Sequence, residues 1–430
     1  MIALVLSVVL QHWLVVNDIH LNPFSPYGVE YGTDTTKTLW RSALRAMRAD
    51  VPDARVVLVG GDLLAHEFPQ RAHAAGQQAE SPALAAMREI AAGLDGDFPK
   101  AQFLFALGNN DDFCGDYRSD VSGPYMQSLT RIWAPLVDRA GVAPDFSTRF
   151  PSGGYYTARL PIRNGRAIVL NSIFWSIVYR GGCSSRPIDP GATEMTWLSG
   201  ALERLPPGTN AMLLMHIPPG YDPQSTSTVH RLLAVPFLMR RFDDAFVNLV
   251  AEHRAVVRFI IGAHTHHYDF RVVAGVPMLI ASSISPIYRN NPAFYVVDVD
   301  DDGNVHDVHP YVYHPDADAW EREPSFDTMY GVRRLRAAAL TAIAARVRGD
   351  PRVREVWVHA YSAWSRREPS IERNWLPYAC AQTEMEGGYA ACAGTSSRGR
   401  TVALIVAALA IAAFTLVWLA LRRRATRTRS

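Results

Sequence analysis

The sequence of 430 residues predicts an α/β fold built in layers. Short apolar runs alternate with helical stretches between residues 12 and 107, and this β-α-β-α-β order implies crossover connections between parallel strands. The last apolar runs, after residue 257, lack long helices between them and predict antiparallel strands. Because 48% of the residues are hydrophobic, the chain can bury a sizeable core, which excludes general disorder.

Each predicted element rests on one of these runs. Strands are expected at His12–Val16, Arg55–Val59, Gln102–Leu107, Ala167–Leu170, Ala211–Met215, Arg258–Ile261, Pro277–Ala281 and Ala293–Val299. Helices are expected at Thr35–Ala49, Pro82–Leu94, Glu194–Leu205 and Gly331–Val347. A tryptophan-rich stretch then leads to the last two cysteines, so we interpret residues 324–396 as a helical subdomain packed on a larger domain of residues 12–323.

The C-terminal end predicts a membrane anchor. Val402–Leu421 is an unbroken apolar stretch of about 20 residues, enough for one bilayer crossing. It follows a short stalk, residues 397–401, and precedes an arginine-rich tail, residues 422–430, which the positive-inside rule places in the cytosol. We therefore expect a single-pass type I membrane protein with its large domain outside the cell or in a lysosome- or vacuole-like lumen.

That topology needs an N-terminal signal, and residues 1–11 are an apolar candidate. The segment has no Lys or Arg and no clear cleavage site, so whether it is cleaved stays open.

Four cysteines, Cys114, Cys183, Cys380 and Cys392, allow three pairings, and the expected compartment favours disulfides. Without the seven arginines of residues 398–430, the charge of +2 becomes −5, which gives no nucleic-acid-binding surface. The oligomeric state is not indicated.

Polar motifs follow five of the predicted strands directly. These motifs are Asn17-Asp18-Ile19-His20, Gly60-Gly61-Asp62 with His66, Gly108-Asn109-Asn110-Asp111, His216-Ile217-Pro218-Pro219 and Gly262-Ala263-His264-Thr265-His266. Because ligands of open α/β sheets bind beyond the carboxyl ends of the strands, we expect these groups to converge at one edge. Mixed nitrogen and oxygen donors suit zinc, manganese or iron better than magnesium or calcium.

This ordered set resembles the metallophosphoesterase signature of the calcineurin-like superfamily, and more narrowly the acid sphingomyelinase-like phosphodiesterases. His66 stands four residues after Asp62, His216 opens an H-I-P-P-G motif, and the serine-rich loop after Ser282 leads into an N-P-x-aromatic strand. The resemblance covers about residues 12 to 393. It implies a layered β-sandwich flanked by helices, and its closing helical region supports pairing Cys380 with Cys392.

The resemblance also implies roles for individual residues. One divalent metal ion is expected at Asp18, His20, Asp62 and His266, and a second at Asp62, Asn109, His216 and His264. Asp62 would bridge the two ions, which are expected to be zinc, with manganese or iron as alternatives. Such a pair activates water and clamps phosphoryl oxygens for in-line attack. His66 is the candidate general acid that protonates the leaving group.

Two positions depart from the sphingomyelinase pattern. Asn110 replaces a histidine thought to assist the leaving group, and the resulting G-N-N-D motif is similar to that of endopolyphosphatase relatives, whose leaving group is a phosphate. A good leaving group needs less help from an acid, so Asn110 favours phosphoanhydrides or nucleotides slightly. Ala263 separates Gly262 from His264, but the spacing of His264 and His266 is kept.

We therefore expect a binuclear-metal hydrolase of phosphodiester or phosphoanhydride bonds that acts outside the cytosol. Endopolyphosphatase or nucleotide phosphohydrolase activity is the alternative within the same chemistry. A catalytically impaired binding protein that keeps the fold is an alternative of another class, supported only by Asn110, and a cytosolic protein phosphatase conflicts with the anchor. Candidate substrate contacts come from variable loops: Tyr117, Tyr125, Arg180 and Tyr288.

Overall fold

A computed structural model describes residues 9–25, 28–184, 188–229, 232–367, 370–385 and 387–395. Most of the predicted signal segment and the whole of the predicted stalk, span and tail lie outside these residues. Within them, no helix is long and apolar enough to cross a membrane. The anchor at residues 402–421 therefore stays a prediction.

The described residues form strands and helices throughout. The strands are β1 Leu10–Val16, β2 Leu21–Asn22, β3 Thr35–Thr36, β4 Val56–Val59, β5 Gln102–Phe105, β6 Tyr156–Arg159, β7 Gly165–Val169, β8 Asn210–Leu214, β9 Val257–Gly262, β10 Asp269–Val273, β11 Val276–Ile280, β12 Ala293–Asp300, β13 Val305–His314 and β14 Ala319–Arg322. The α-helices are α1 Lys37–Asp50, α2 Phe68–Ala74, α3 Glu80–Asp97, α4 Pro124–Val137, α5 Phe146–Arg149, α6 Pro190–Glu203, α7 Pro223–Thr228, α8 Arg240–Glu252, α9 Phe326–Tyr330, α10 Ala337–Gly349, α11 Pro351–Tyr361, α12 Ser370–Ala381 and α13 Gly388–Cys392.

Two six-stranded mixed sheets form the centre of the molecule. The first has the order β14-β13-β12-β1-β4-β5, with β1, β4 and β5 parallel. The second has the order β10-β11-β9-β8-β7-β6, with β7, β8 and β9 parallel. The antiparallel arrangement predicted for the last strands is correct for β12 but wrong for β11, which runs parallel to β9. The cause is β10, which lies between β9 and β11 in the sequence. The chain runs back along β10 and then turns into β11, so β10 and β11 form a hairpin and β11 has the direction of β9.

Burial explains why the central strands are so apolar. All four residues of β4 and all five of β8 are buried, as expected of strands covered on both faces. The sheets face each other: a small cavity between them is lined by Trp13 and Val297 from the first sheet and by Met212 and Phe259 from the second. The α/β fold with layered sheets and flanking helices is therefore confirmed.

The C-terminal helices pack on the second sheet. Phe326 of α9 contacts Phe270 of β10 with ring centroids 6.0 Å apart, and the Val272 N–H donates to the carbonyl of Gln382 over 2.9 Å. The structure forms the disulfide Cys380–Cys392, which the resemblance supports, and pairs Cys114 with Cys183. These helices form a cover for the second sheet.

Two helix starts differ from prediction for local reasons. Helix α6 begins at Pro190, four residues early, because the Asp189 carboxylate accepts the N–H of Ala192 as an N-cap. Helix α10 begins at Ala337, because Gly331 takes a φ of 71° and ends α9 instead. Helices α4 and α8 and the hairpin β13–β14 lie outside the predicted elements.

Candidate metal centre

The loops after five strands bring their polar side chains to one point, as the motif order predicts. Ligand atoms of Asp18, His20, Asp62 and His266 all lie within 4.8 Å of one another, and so do those of Asp62, His216 and His264. Asn109 joins the second group, with its Oδ1 3.0 Å from Nε2 of His216. All seven residues predicted as metal ligands therefore meet in one place.

Asp62 lies between the two groups. Its Oδ2 is 3.3 Å from Nε2 of His20 and 3.4 Å from Nε2 of His216. The main-chain N–H of Asn110 donates to Oδ1 over 2.8 Å, which fixes the orientation of the carboxylate. A single carboxylate oxygen thus faces imidazole nitrogens from both groups, which is the position of a bridging ligand.

The donor chemistry of the first group fits a divalent cation. Nδ1 of His20 lies 2.9 Å from the carbonyl of Leu64, so this nitrogen carries the proton and Nε2 presents a lone pair. That lone pair faces Nε2 of His266 at 3.1 Å and the Asp62 carboxylate. The lone pairs of His20 Nε2 and of the Asp62 oxygen 3.3 Å away repel unless a cation lies between them, so these residues suit a metal ion.

The second group has the same character. Nδ1 of His216 donates to the Gly60 carbonyl over 2.8 Å, which leaves Nε2 facing Oδ1 of Asn109 and Nδ1 of His264 at 3.0 and 3.3 Å. The Asn109 amide donates to Asp116 over 2.7 Å and so turns its oxygen toward the histidines. Such outer hydrogen bonds orient metal ligands.

The backbone at the centre is strained where the ligands stand. Five of the seven predicted ligands have a positive φ, between 46° and 73°: Asp18, His20, Asp62, His264 and His266. Residues with a side chain rarely adopt this region, and each such residue costs on the order of 1–3 kcal/mol. The rest of the fold must therefore hold these loops in place.

The Asp111 side chain holds two of these loops together, the loop after β4 and the loop after β5. Its carboxylate accepts the main-chain N–H groups of Asp62, Leu63 and Gly108 at distances of 3.0, 2.6 and 2.7 Å. A side chain at Gly108 would collide with the backbone and carboxylate of Asp62, so only glycine allows the two loops to approach. The sequence signal for Asp111 was its place in the G-N-N-D motif, but its role emerges only from the structure.

Electrostatics favour an ionised Asp62 with neutral His20 and His264 beside it. Burial opposes ionisation of Asp62, yet His216 and His20 outweigh it and hold its pKa well below the usual range. Burial lowers the pKa of His20 to about 4 and that of His264 to about 3, so both are neutral and able to bind a metal at physiological pH. Burial also lowers the pKa of His216, but Asp62 raises it to about 9, and a cation would displace that proton.

The sequence model of the calcineurin-like phosphoesterase family matches residues 12–268. The chain belongs to the calcineurin-like phosphoesterase family. This phosphoesterase is 26% identical over 324 residues to sphingomyelinase phosphodiesterase D of Dictyostelium discoideum, a match that covers 71% of this chain and 68% of the relative. It is 21% identical over 209 residues to the cyclic GMP-AMP phosphodiesterase SMPDL3A of Bos taurus, covering 45% of this chain and 43% of the relative.

A solved structure, GAP50, the anchor in the inner membrane complex of Plasmodium, aligns with a TM-score of 0.42 at 10% identity, over 73% of this chain and 88% of that one. The two curated relatives confirm the sphingomyelinase-like branch that the motifs indicate. Family membership and these relatives identify the chain as a metal-dependent phosphoester hydrolase.

His66, the predicted general acid of this phosphoesterase, borders the centre. Its ring stacks on that of His20 with centroids 4.0 Å apart, and 24% of its side chain is exposed. Its Nδ1 lies 2.9 Å from a carboxylate oxygen of the fully buried Asp34, whose other oxygen accepts the main-chain N–H of His66. Burial lowers the pKa of His66, but Asp34 outweighs it and raises the pKa above its usual value.

Asp34 is a buried partner of His66 that the motifs did not indicate. It lies 32 residues before His66, directly before β3, and no local pattern marks it. Asn110 stands where the sphingomyelinase pattern has a histidine, and in this phosphoesterase it contacts the centre directly. Its side-chain amide donates to Oδ2 of Asp62 over 3.0 Å, so Asn110 supports the centre, and a neutral amide has no acidic proton to transfer to a leaving group.

A cleft of about 410 Å³ opens beside the centre of the phosphoesterase. The predicted contacts Tyr117 and Tyr288 both line it, and the Tyr117 hydroxyl lies 3.4 Å from Nε2 of His264. The other two predicted contacts are not among the residues lining it. Tyr125 is buried and donates to the carbonyl of Asp111, while Arg180 is exposed on the neighbouring loop.

Proposed function

We propose that this phosphoesterase uses two divalent metal ions at the Asp62 centre to hydrolyse a phosphodiester outside the cytosol. The observation that carries the proposal is Oδ2 of Asp62, which lies within 3.4 Å of imidazole nitrogens from two separate ligand groups. Zinc suits the mixed histidine, carboxylate and amide donors, with manganese or iron as alternatives. Ions held there would supply Lewis-acid activation of water and of the phosphoryl oxygens.

The chain's own residues would then position the substrate and supply a proton. His66 is held by Asp34 through Nδ1, so its Nε2 is the nitrogen available to a leaving-group oxygen. The two hydrogen bonds from Asn110 keep the Asp62 carboxylate between the ligand groups. No protein nucleophile is needed in this arrangement.

The chemistry of the cleft favours an organic phosphodiester over a polyphosphate chain. None of its described lining residues is Lys or Arg, and it contains one carboxylate. Aromatic rings form much of the remainder, namely Tyr117, Phe237, Tyr288, Tyr361 and Tyr378, beside the carboxylate of Asp222. Such walls suit a planar or cationic organic group and repel a chain of phosphates. This outweighs the slight preference for phosphoanhydrides read from Asn110.

Product analysis with the full chain in detergent micelles tests the proposal. The protein is loaded with zinc or manganese and offered sphingomyelin, a dinucleotide, ATP and polyphosphate in parallel. We expect cleavage of at least one diester, with polyphosphate the poorest substrate. Phosphate release from polyphosphate alone would place the chain with the endopolyphosphatases, while metal binding without cleavage of any substrate would support an impaired binding protein.

The proposed compartment rests on the apolar stretch Val402–Leu421 and the basic residues after it. Protease treatment of sealed vesicles from cells that make the chain measures its orientation. We expect antibodies to detect a protected fragment that contains residues 9–395 when the vesicle lumen corresponds to the cell exterior. Complete digestion of that fragment would place the catalytic region in the cytosol.

A further inference from the structure

A second cluster of potential metal ligands lies on the hairpin β13–β14, outside the centre described above. It consists of His314, Glu321 and Glu323, which each offer one atom within 4.8 Å of the others. Nε2 of His314 lies 2.7 Å from Oε1 of Glu323. This cluster takes no part in the proposed reaction, and the inference drawn from it does not rest on that reaction.

The hairpin register places these three side chains on the same face. Val312 pairs with Glu321 and His314 pairs with Ala319, and the Glu323 N–H donates to the carbonyl of Pro310. Opposite residues of an antiparallel pair share a face, and so do residues two apart along a strand. The strands themselves therefore hold one imidazole and two carboxylates together.

This face forms one wall of a cavity of about 630 Å³. Helix α11 supplies a second imidazole to the lining, that of His359, and the carboxylates of Asp316 and Glu372 also line it. Of the two lining arginines, Arg367 lies 3.4 Å from Asp316 and over the ring of Tyr31. Carboxylates therefore outnumber guanidinium groups around a space that two histidines border.

We propose that His314, Glu321 and Glu323 bind a divalent transition-metal ion, beside the His359 imidazole that lines the same cavity. Imidazole and carboxylate donors at this spacing suit zinc, which takes four such ligands in structural sites. The ion would fasten β14, an edge strand that has no strand partner on its outer side among the described residues, to β13. Edge strands are where a sheet is most open to fraying and to pairing with other chains, so the site is structural.

Zinc content of the full chain tests this site. The protein is stripped with a chelator, titrated with zinc and measured for bound zinc per chain by emission spectrometry. We expect Glu321→Gln/Glu323→Gln to bind one zinc fewer than the wild type, with unchanged hydrolysis of bis-p-nitrophenyl phosphate. The single change Glu321→Gln, at an exposed side chain that cannot disturb folding, should weaken this zinc by at least about tenfold.

Two controls make the result specific. Asp316→Asn removes a carboxylate of the same cavity from outside the cluster and should keep the wild-type zinc content. Asp62→Asn should lose zinc from the catalytic centre but retain the hairpin equivalent, so failure of one site is distinguishable from failure of the other. Equal zinc content and affinity in the wild type and in Glu321→Gln/Glu323→Gln would overturn the proposal, as would a joint loss of zinc and activity.

Discussion

Asp62 combines three features of the centre in one residue. Its backbone takes a φ of 55°, its N–H is held by Asp111, and its carboxylate faces histidines of both ligand groups. A residue in this position is fixed before any metal binds, which lowers the cost of assembling the site. Changes that keep its shape but remove its charge should therefore affect chemistry more than folding.

Asp62→Asn keeps the side-chain volume and removes the charge that two cations would share. A metal ion supplies several kcal/mol of transition-state stabilisation, and about 4 kcal/mol corresponds to roughly a thousandfold in rate. We expect diester hydrolysis to fall by about that factor or more, measured alongside bound metal per chain. Asp97→Asn, at a surface ion pair with Arg48, is the control. Near wild-type turnover in Asp62→Asn would refute the two-metal assignment.

His66→Ala should slow hydrolysis most where the leaving group needs a proton. General acids typically contribute about 10²–10⁴-fold, and little of that applies to a p-nitrophenolate. We therefore expect an alkyl diester to lose far more rate than a p-nitrophenyl ester, and Asp34→Ala to show the same pattern more weakly because it acts through His66. The exposed His73 on α2 provides a control as His73→Ala. Equal losses on both substrates would exclude a general-acid role.

The convergence of the predicted ligand residues could be foreseen because each follows a strand directly, so its place in the motif also gives its place in the fold. The supporting residues could not. Asp34 contacts His66 across 32 residues of sequence, and Asp111 contacts Asp62 across 49. Asp34 has no local pattern, and the place of Asp111 in the G-N-N-D motif does not reveal its contact, because both roles depend on how two loops approach in space. Metal binding itself stays a prediction, although the structure brings the seven residues together.

At the scale of elements, helix α6 is joined to the second sheet through a buried acid. Glu194 is completely buried and accepts the main-chain N–H of Asn171, just after β7, over 2.6 Å. Burial raises its pKa from 4.5 to about 8, so the carboxyl stays protonated in the folded protein up to that pH. In the unfolded chain it ionises near pH 4.5, so the folded state binds the extra proton between these values.

Glu194→Gln should flatten the pH dependence of stability. Because the folded state binds more protons than the unfolded state between pH 4.5 and about 8, the stability from this group is full below pH 4.5 and is lost as the pH rises to about 8. Its size is on the order of a few kcal/mol. Chemical unfolding at pH 5, 6.5 and 8 measures it, with the exposed Glu203→Gln of the same helix as control. Parallel pH profiles for wild type and Glu194→Gln would contradict the assignment.

Elements with a strong pattern were easier to predict than elements that depend on packing. The buried parallel strands show as continuous apolar runs, and each was placed within about two residues. The hairpin β13–β14 was missed because His306, His309 and Pro310 interrupt its alternation. The direction of β11 was wrong, because a short return strand such as β10 carries little signal of its own.

At the scale of the whole molecule, the sheets and the C-terminal helices share a single hydrophobic core. Phe326, Leu340, Trp357 and Tyr361 are each at most 1% exposed and belong to the same buried cluster as the strands. The Tyr268 N–H, just before β10, also donates to the carbonyl of Tyr361 over 2.9 Å. The predicted boundary at residue 323 therefore crosses a continuous core.

A chain that ends at residue 323 should not fold. Each large apolar side chain contributes about 1.5–3 kcal/mol when buried, so losing the four named above approaches the net stability of a typical domain, about 5–15 kcal/mol. Circular dichroism and thermal melting compare this truncation with a chain ending at residue 395. We expect a cooperative transition only in the longer chain. A similar melt in both would show that residues 12–323 fold alone.

The central position of β12 in the first sheet affects how the chain is made. Strand β1 pairs on one side with β12, where Leu10 meets Asp300 and Val15 meets Tyr295. Ribosomes add about 5–20 residues per second, so β1 emerges roughly 15–60 s before its partner exists. Throughout that interval a strand of seven mostly apolar residues has an unpaired edge, so nascent chains should depend on chaperones until β12 is synthesised.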